Sequence, residues 1–444
     1  IMLVDELTGR IITDRKWQNG LQSAVEAKEG VPILTDGIIL NSITIQHLIR
    51  LYQNYCGMTG TAVSASDEFS DLYGLGVFVI PKHVPSARLD LPDMIFTHRK
   101  AKLKAVIQEI SSIHQTGQPI LIGTLTVAES EELEMLLLAN GLVPVVLNAK
   151  NDREEAAIIK EAGLPGAITI STNMAGRGTD IRLGGENERY YKEVVNTGGL
   201  YVLGTNKHES SRIDNQLRGR SGRQGDPGVT RFIVSMEDPL MVKYRLKDLL
   251  PEKHKTIRSD KPIHTKMVIN EIARAQRIIE GQLFEIRKTL CEYTGFVESL
   301  RKLHYQKRNK LLTKQADQVS SYLLSQYDLR WSELLGEVQQ LREGIAWERI
   351  AGRNPIREFI TQCDMMYRNM ELSLDKVITD VAENPELAKP AKRPTSTWTY
   401  VINDNPIGDP LTLMLIDASN IGMQIDPTAG IMLLLNKWFI SKNK

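Results

Sequence analysis

Cysteine is scarce in this 444-residue chain, and the chain has neither a long apolar run nor a clear excess of positive or negative charge. Its three cysteines, Cys56, Cys291 and Cys363, are far apart and form no CxxC pair. This spacing argues against a disulfide framework or a zinc site and favours a reducing cytoplasm. No stretch reaches the roughly 18 apolar residues of a membrane span, and no basic-then-apolar signal segment opens the chain.

The charges nearly cancel, because 55 lysine and arginine residues face 54 aspartate and glutamate residues, for a net charge of +1. A whole-chain nucleic-acid binder would usually be more basic, although a local basic stripe remains compatible with this balance. The length suits more than one domain. The chain opens on Ile1 rather than Met, with Ile1–Val4 patterned as a strand already in progress, so we expect further residues to precede it.

The middle of the chain alternates short apolar runs with helical patterns, after prolines at 81, 85 and 92 that suggest a linker. This alternation predicts a parallel sheet covered by helices on both faces, with ligands beyond the carboxyl ends of the strands. The predicted strands are Pro119–Thr124, Leu142–Leu147, Ala167–Ile170, Leu200–Leu203 and Arg231–Val234, and the predicted helices are Lys100–His114, Ala128–Asn140 and Asp152–Ala162.

A different pattern begins near Ile263, where apolar positions recur at alternating intervals of four and three as far as Asn309. This heptad spacing predicts one long helix, interrupted by Gly281 and Gly295 at about 1 kcal/mol each. A further helical stretch is predicted from Trp331 to Val381, broken near Asn354-Pro355, and residues 385–394 suggest a second linker.

The first segment with chemical potential runs from Thr172 to Asp180 and directly follows a predicted strand. Glycines flank Arg177, so the backbone can approach a ligand and the guanidinium can turn toward it. Asp180 could accept a hydrogen bond from a ribose hydroxyl or hold the loop. A plain glycine-rich turn, with Arg177 paired to a carboxylate, explains this segment equally well.

The second segment, His208–Asp226, has four arginines within twelve residues. On a helix, Arg212, Gln216 and Arg220 would share one face, with Arg223 on the turn beyond. Arginine forms bidentate bonds to phosphate and can stabilise the charge that develops in phosphoryl transfer. The alternative is a solvated basic helix paired with its own acids, but the glycines and the preceding strand favour phosphate binding.

Together these segments resemble the fifth and sixth motifs of helicase-type motors, which bind ATP between two similar lobes. The first lobe of such motors carries a phosphate loop, GxxxxGK[ST], and an acidic magnesium site. This chain has no such loop. Asp5-Glu6 resembles the acidic motif only superficially.

Several stretches together resemble the SecA family, the ATPases that push unfolded proteins through the bacterial Sec channel. They include TNMAGRGTDI at 172–181, GTNKHESSRIDNQLRGRSGRQGDPG at 204–228, FIVSMEDPLM at 232–241, GMTGTA at 57–62, VDELTGR at 4–10 and QRIIEGQLFEIRKTLCEY at 276–293. The likeness covers about the first 310 residues well, and more weakly 341–359.

The resemblance implies a role for each matching residue. Nucleotide contacts would be Arg177, Gly178, Asp180, Arg220 and Arg223, with the last two as arginine fingers, and Gln216 on the same helix joins the nucleotide-binding candidates. Arg212 would form a gating ion pair with an acid of the first lobe. Thr59–Ala62 would couple hydrolysis to lobe movement, and the long helix would pass that movement to the channel.

The same resemblance implies a cytoplasmic motor at the inner face of the cell membrane, with ATP as its nucleotide and magnesium held by the first lobe. Its partners would be a SecY-type channel and unfolded preproteins, with no specific nucleic acid. The resemblance is also compatible with a homodimer. The reduced wing at 311–330, the missing cysteine-rich tail and Tyr293-Thr294-Gly295 in place of Tyr-Asp-Asp are more like the accessory branch. That branch exports few substrates, often large glycosylated adhesins.

Four domains are therefore predicted. Residues 1–90 would contain the end of the first lobe and the return from the preprotein-binding insertion, and 91–245 would form a RecA-like α/β second lobe. Residues 246–384 would form an all-α scaffold with a strongly reduced wing, and 385–444 a linker and tail of unknown role. Without a first lobe the isolated chain would be inactive, which leaves a non-catalytic interaction fragment as one alternative. An RNA-helicase-like motor half is another, although no aromatic and basic stripe supports it.

Overall fold

The computed structural model describes residues 3–4, 11–12, 21–33, 40–147, 155–172, 180–249, 259–263, 266–313, 317–349 and 351–388. The strands are β1 (Leu3–Val4), β2 (Ile11–Ile12), β3 (Ala87–Asp90), β4 (Met94–Phe96), β5 (Ile120–Thr124), β6 (Val145–Leu147), β7 (Ile168–Thr172), β8 (Leu200–Gly204) and β9 (Pro227–Ser235).

The α-helices are α1 (Leu21–Lys28), α2 (Ile45–Ile49), α3 (Ser66–Tyr73), α4 (Arg99–His114), α5 (Val127–Ala139), α6 (Glu155–Glu161), α7 (Tyr191–Asn196), α8 (Ser211–Arg218), α9 (Pro239–Lys243), α10 (Lys266–Leu312), α11 (Gln318–Gly344) and α12 (Pro355–Glu383). Short 3₁₀ turns lie at Val63–Ala65, Arg223–Gly225, Leu246–Leu249, Ile345–Arg349 and Pro385–Leu387. None of the helices in the described ranges is long and apolar enough to cross a membrane.

The chain divides into two compact units, and the division falls inside α10, between Arg287 and Lys288. The first unit, called here the α/β unit, contains residues 1–17 and 55–287, and the second, the helical unit, contains residues 18–54 and 288–444.

The α/β unit is built on a parallel sheet in the order β6-β7-β5-β8-β9, with β3 and then β4 paired in succession along the outer edge of β9. In register, Ile122 of β5 lies between Ile170 of β7 and Leu203 of β8. Parallel neighbours need a crossover between them, and the intervening helices supply it.

Both faces of this sheet are buried, and successive residues of each central strand enter different apolar clusters. In β8, Val202 packs in one cluster with Leu217 and Ile272, while Leu203 packs in the other with Val106 of α4. Continuous apolar strands are what such a sheet requires, because each face meets a layer of helices.

The predicted fold class is confirmed, since a parallel sheet between two helical layers is followed by a helical region. Strands β3 and β4 were not predicted. Three of the four residues of β3 are exposed, so β3 lacks an apolar signal, and the backbone of β9 holds it in the sheet. The tail at 407–444, Asp5-Glu6 and most of the 385–394 linker lie outside the described residues.

The helical unit has its own core, in which Trp331 of α11 and Phe359 and Cys363 of α12 are buried. The predicted long helix is confirmed as α10. His304 of α10 is fully buried and stacks on Trp331 with ring centroids 4.9 Å apart. Burial lowers the pKa of His304 to about 4, although Asp328 raises it in part.

We predict that the helical unit loses stability as the pH falls below 6.5, the ordinary pKa of histidine. His304 binds a proton more readily in the unfolded chain than in the folded one. The stability associated with its neutral form is therefore fully present above pH 6.5 and is lost as the pH falls toward the pKa of the folded state. At pH 5 the loss amounts to about 2 kcal/mol. Urea unfolding followed by tryptophan fluorescence at pH 7 and pH 5 measures it. The His304→Phe variant should lose less between the same two pH values, and an equal loss would contradict the prediction.

Candidate functional site

The arginine-bearing segment begins at the carboxyl ends of the strands and ends at their amino ends. It leaves the carboxyl end of β8, and α8 then runs back along the sheet, so the following turn lies at the amino ends of β8 and β9. The Ser221 hydroxyl there donates to the carbonyl oxygen of Leu200, the first residue of β8, at 2.7 Å. The expectation that these arginines lie beyond the carboxyl ends of the strands was therefore wrong, because α8 separates them from that edge.

The helix is also shorter than predicted, since α8 ends at Arg218. Arg220 lies in the turn beyond it, where its amide donates to the Leu217 carbonyl at 3.0 Å. Arg212, which is exposed, and Gln216, which is half-buried, stay on α8 one turn apart. The predicted helical face shared by all three residues is therefore limited to Arg212 and Gln216.

The two predicted segments meet at an ion pair between Arg223 and Asp180, 43 residues apart in the sequence. The Arg223 Nε atom also donates to the Gly219 carbonyl at 3.1 Å, so this side chain folds back over the end of α8. Both members of the ion pair are substantially exposed. Of the two roles considered for Asp180, the geometry supports the one in which it holds the loop. Arg177 and Gly178 lie outside the described residues.

Glycine is required at two positions of this turn. Gly222 has φ +68° and Gly225 has φ +89°, values in the left-handed region that side chains disfavour. A Cβ atom at Gly222 would lie 2.5 Å from the Cβ of Arg88, and one at Gly225 would lie 2.6 Å from a methyl group of Val84. The glycines therefore let the turn pass close to β3 and the segment before it.

Arg218, the fourth arginine of the segment, has a structural role. Its guanidinium donates to the Thr230 hydroxyl at 2.6 Å and to Asp93 at 2.8 Å, and its Cζ lies 4.7 Å from the centre of the Phe232 ring. Asp90 lies beside this group. Burial alone would raise its pKa, but hydrogen bonds from Arg88 and Thr230 outweigh burial and lower the pKa of Asp90.

A buried polar cluster surrounds the start of α8. Asp214 in its first turn accepts hydrogen bonds from the His208 amide at 3.1 Å and from Gln276 of α10 at 3.0 Å, and it lies 2.6 Å from the His208 Nδ1 atom. Lys207 is paired with Asp93 at 2.7 Å and with Asp214 at 3.5 Å. Burial raises the pKa of Asp214, but the contacts with His208 and Lys207 outweigh it and lower the pKa overall.

A second buried cluster lies at the carboxyl edge of the sheet, and the sequence analysis missed it. Lys102 of α4 donates to Asp238 at 2.7 Å and to Asn206 at 3.1 Å. Asp238 also accepts from the amide and the hydroxyl of Ser235 at the end of β9. The only sequence signal is a lysine on a helix face that is otherwise apolar. The ion pair is too buried to meet a ligand, so its role is structural.

The predicted coupling loop is exposed at Thr59 and Gly60 and half-buried at Thr61 and Ala62, and it precedes α3. Its own hydroxyls brace it, since the Thr61 amide donates to the Thr59 hydroxyl at 3.3 Å. Glu68 of α3 accepts two hydrogen bonds from Arg287 of α10, both at 2.7 Å. This bidentate pair ties α3 to α10 within the α/β unit.

The arrangement is therefore suited to an anionic ligand with several oxygen atoms. Arg212, Arg220 and Arg223 lie on one short segment, fully or partly exposed. Arginine's planar group bonds phosphate oxygens in a bidentate manner. Within the described ranges, no group of three or more histidine, cysteine, aspartate or glutamate side chains is placed to hold a metal ion.

Three family models match this chain. The SecA P-loop domain matches residues 85–193 and 186–251, the SecA Wing and Scaffold domain matches 262–323 and 317–384, and the SecA DEAD-like domain matches 5–70. The matches cover the parallel sheet, the arginine turn and the helical region, and they define a SecA-type α/β lobe and helical scaffold. The chain belongs to the SecA family.

Curated relatives agree with this assignment. Protein translocase subunit SecA 2 of Mycolicibacterium smegmatis is 38% identical over 451 residues, which cover 92% of this chain and 57% of the relative. Protein translocase subunit SecA 2 of Corynebacterium diphtheriae is 39% identical over 446 residues, 92% of this chain and 58% of the relative. The chain thus spans little more than half the length of these relatives. Their name agrees with the accessory branch predicted from the sequence.

Part of this chain also aligns with one solved structure, domain 2 of the DEAD-box helicase Mss116p bound to an RNA duplex. It is 15% identical to this chain, with a TM-score of 0.26, and the match covers 46% of this chain and 77% of that one.

We predict that two aspartates of the α/β unit differ sharply in their effect on stability. Asp238→Ala leaves Lys102 buried without its counter-ion and should cost about 3–5 kcal/mol. Asp180→Ala removes an exposed pair and should change stability by less than about 1 kcal/mol. Urea denaturation of the two variants and the parent chain measures both effects. Similar losses of stability in the two variants would contradict this distinction between a buried and an exposed ion pair.

Proposed function

We propose that this chain is the second motor lobe and the scaffold of an ATP-driven protein-export motor. The observation that carries the proposal is the meeting of Asp180 and Arg223, which joins two glycine- and arginine-rich segments at one edge of the sheet. Arg220 lies three residues before Arg223 in the same turn. Family membership supports the same function.

In this proposal Arg220 and Arg223 are arginine fingers, and they bind the phosphate oxygens on which negative charge grows during cleavage. Asp180 orients Arg223, and Gln216 contributes a neutral hydrogen-bonding group from α8. Arg212 stands apart on the exposed side of α8, where it is available to pair with an acid of the opposing lobe.

Arg177 and Gly178 complete the proposed nucleotide contacts. The described donors fit the phosphates of ATP, because Arg220 and Arg223 are partly exposed and arginine binds phosphate oxygens in a bidentate manner. The phosphate loop and the acids that hold magnesium would come from a first lobe, since these 444 residues have no GxxxxGK[ST] motif. Bound ATP supplies the phosphoryl group whose transfer drives the motor.

The proposed partners follow from the family. They are a SecY-type channel at the inner face of the membrane, where the motor would be peripheral, and unfolded preproteins in the cytoplasm. In the accessory branch the cargo would be a narrow set of surface proteins such as adhesins, and the motor would act as a monomer or a homodimer. Residues 1–90 would complete the first lobe, 91–245 would form the second lobe, 246–384 the scaffold and 385–444 the linker and tail.

We predict that Arg220→Ala lowers ATP turnover by about 10³-fold in a motor that contains both lobes, because one cation at the transition state is lost. Steady-state hydrolysis measures the change, and circular dichroism confirms folding. Arg189→Ala is the matched control, since Arg189 is exposed on the same unit but lies outside the turn. Near-normal turnover in the Arg220 variant would remove this residue from the finger role.

A second prediction concerns the chain by itself. The 444 residues should hydrolyse no ATP above background, because nothing in the sequence supplies the phosphate loop. Fusion of the same chain to the phosphate-loop lobe of the Mycolicibacterium smegmatis relative should give turnover that the Arg220→Ala change abolishes. Tight, strongly salt-dependent binding of single-stranded RNA by the fusion, without turnover stimulated by preprotein, would favour the helicase alternative.

A further inference from the structure

Helix α8 is tied at its start to α10 by a single carboxylate oxygen. The Glu280 Oε1 atom accepts hydrogen bonds from the Ser210 hydroxyl at 2.9 Å, the Ser211 amide at 2.7 Å and the Ser211 hydroxyl at 2.9 Å. Hydrogen bonds to a charged acceptor are roughly twice as strong as those between neutral groups.

Gln276, one turn before Glu280 on α10, makes the adjoining contacts. Its buried amide donates to the His208 carbonyl at 2.8 Å and to Asp214 at 3.0 Å. Residues four apart lie on the same face of a helix. One face of α10 therefore holds both the chain entering α8 and the first turn of α8.

These contacts exceed what the helix needs for its own start. The Ser210 hydroxyl already accepts a hydrogen bond from the Arg212 amide at 3.3 Å, which is the ordinary N-terminal cap. Glu280 and Gln276 come from an element some 70 residues away, and Glu280 binds the Ser211 amide, which the local cap does not. Their effect is to fix where α8 lies against α10.

The far end of α8 is held as firmly. Arg218 is bound to Asp93 and Thr230, and the backbone turns directly into the segment that carries Arg220 and Arg223. The helix has eight residues, and at 1.5 Å per residue it is about 12 Å long. Because the helix is short and continues directly into that turn, a displacement of its first turn would reach the arginines.

We infer that Glu280 and Gln276 are positioning residues for the arginine fingers. By setting the place of α8 they set the distance from Arg220 and Arg223 to the nucleotide phosphates, so a shift of α10 would alter turnover. The inference rests on the proposed function and names the contacts through which the scaffold helix would regulate it.

The first test uses kinetics of the motor with both lobes. Glu280→Ala should lower kcat by roughly 10- to 100-fold, as expected for a small misplacement of catalytic groups, with the KM for ATP nearly unchanged and the fold retained. Glu280→Gln retains an acceptor oxygen and should restore most of kcat. Glu285→Ala, which removes an exposed acid from the same helix, is the matched control.

A double-mutant cycle then asks whether Glu280 acts through the arginines. In the Arg220→Ala background, Glu280→Ala should have little further effect, because coupled residues are not additive. Independent, multiplicative losses would overturn the inference, as would a Glu280→Ala motor with unchanged kcat.

Hydrogen exchange of the 444-residue chain separates this inference from the proposed function. In Glu280→Ala the amide of Ser211 should exchange several-fold faster, and so should the amides of Arg220, Ser221 and Asp226. Faster exchange at Ser211 alone would show that α8 does not transmit its displacement and would overturn the inference. A motor without ATP turnover would instead refute the proposed function and leave the exchange result to stand by itself.

Discussion

Helix α8 crosses the sheet from the carboxyl end of β8 to the amino end of β9, and polar contacts hold it at both ends. At its start Asp214 joins it to His208 and to Gln276 of α10, and at its end Arg218 joins it to Asp93. The connection from β8 to β9, the burial of Leu217 and the place of the arginine turn all depend on this path. A helix held at only one end could not present a defined set of cations.

Burial and pairing divide the arginines of this segment into two groups. Arg218 is enclosed by Asp93, Thr230 and the Phe232 ring, so its charge is compensated by contacts within the fold. Arg212 is exposed, and among the described residues Arg223 is paired with the partly exposed Asp180 and bonded to the Gly219 carbonyl. A charge that faces solvent can still bind a ligand, whereas a buried pair costs several kcal/mol to separate.

Helix α10 links the groups proposed to act on the nucleotide. Within the α/β unit it contacts α8 through Gln276 and Glu280, and it contacts α3, which follows the coupling loop, through Arg287 and Glu68. Three polar residues of α10 thus hold two separate segments of the chain, α8 and α3, in fixed positions along this helix. This arrangement suits a motor, in which nucleotide chemistry and movement of the scaffold must affect each other.

The sequence by itself determined the class of fold. A helix or strand with a buried face shows that face in the spacing of its own apolar residues, so the elements could be predicted one by one. It also identified the arginine candidates, since arginine between glycines after a strand is a local signal for phosphate. It did not predict β3, whose side chains are mostly exposed, or the ion pair of Lys102 with Asp238. Only the tertiary structure decided which arginine is buried, that the arginine turn lies at the amino edge of the sheet, and that Arg223 meets Asp180. Those features depend on contacts between residues far apart in the chain, and no local pattern encodes them.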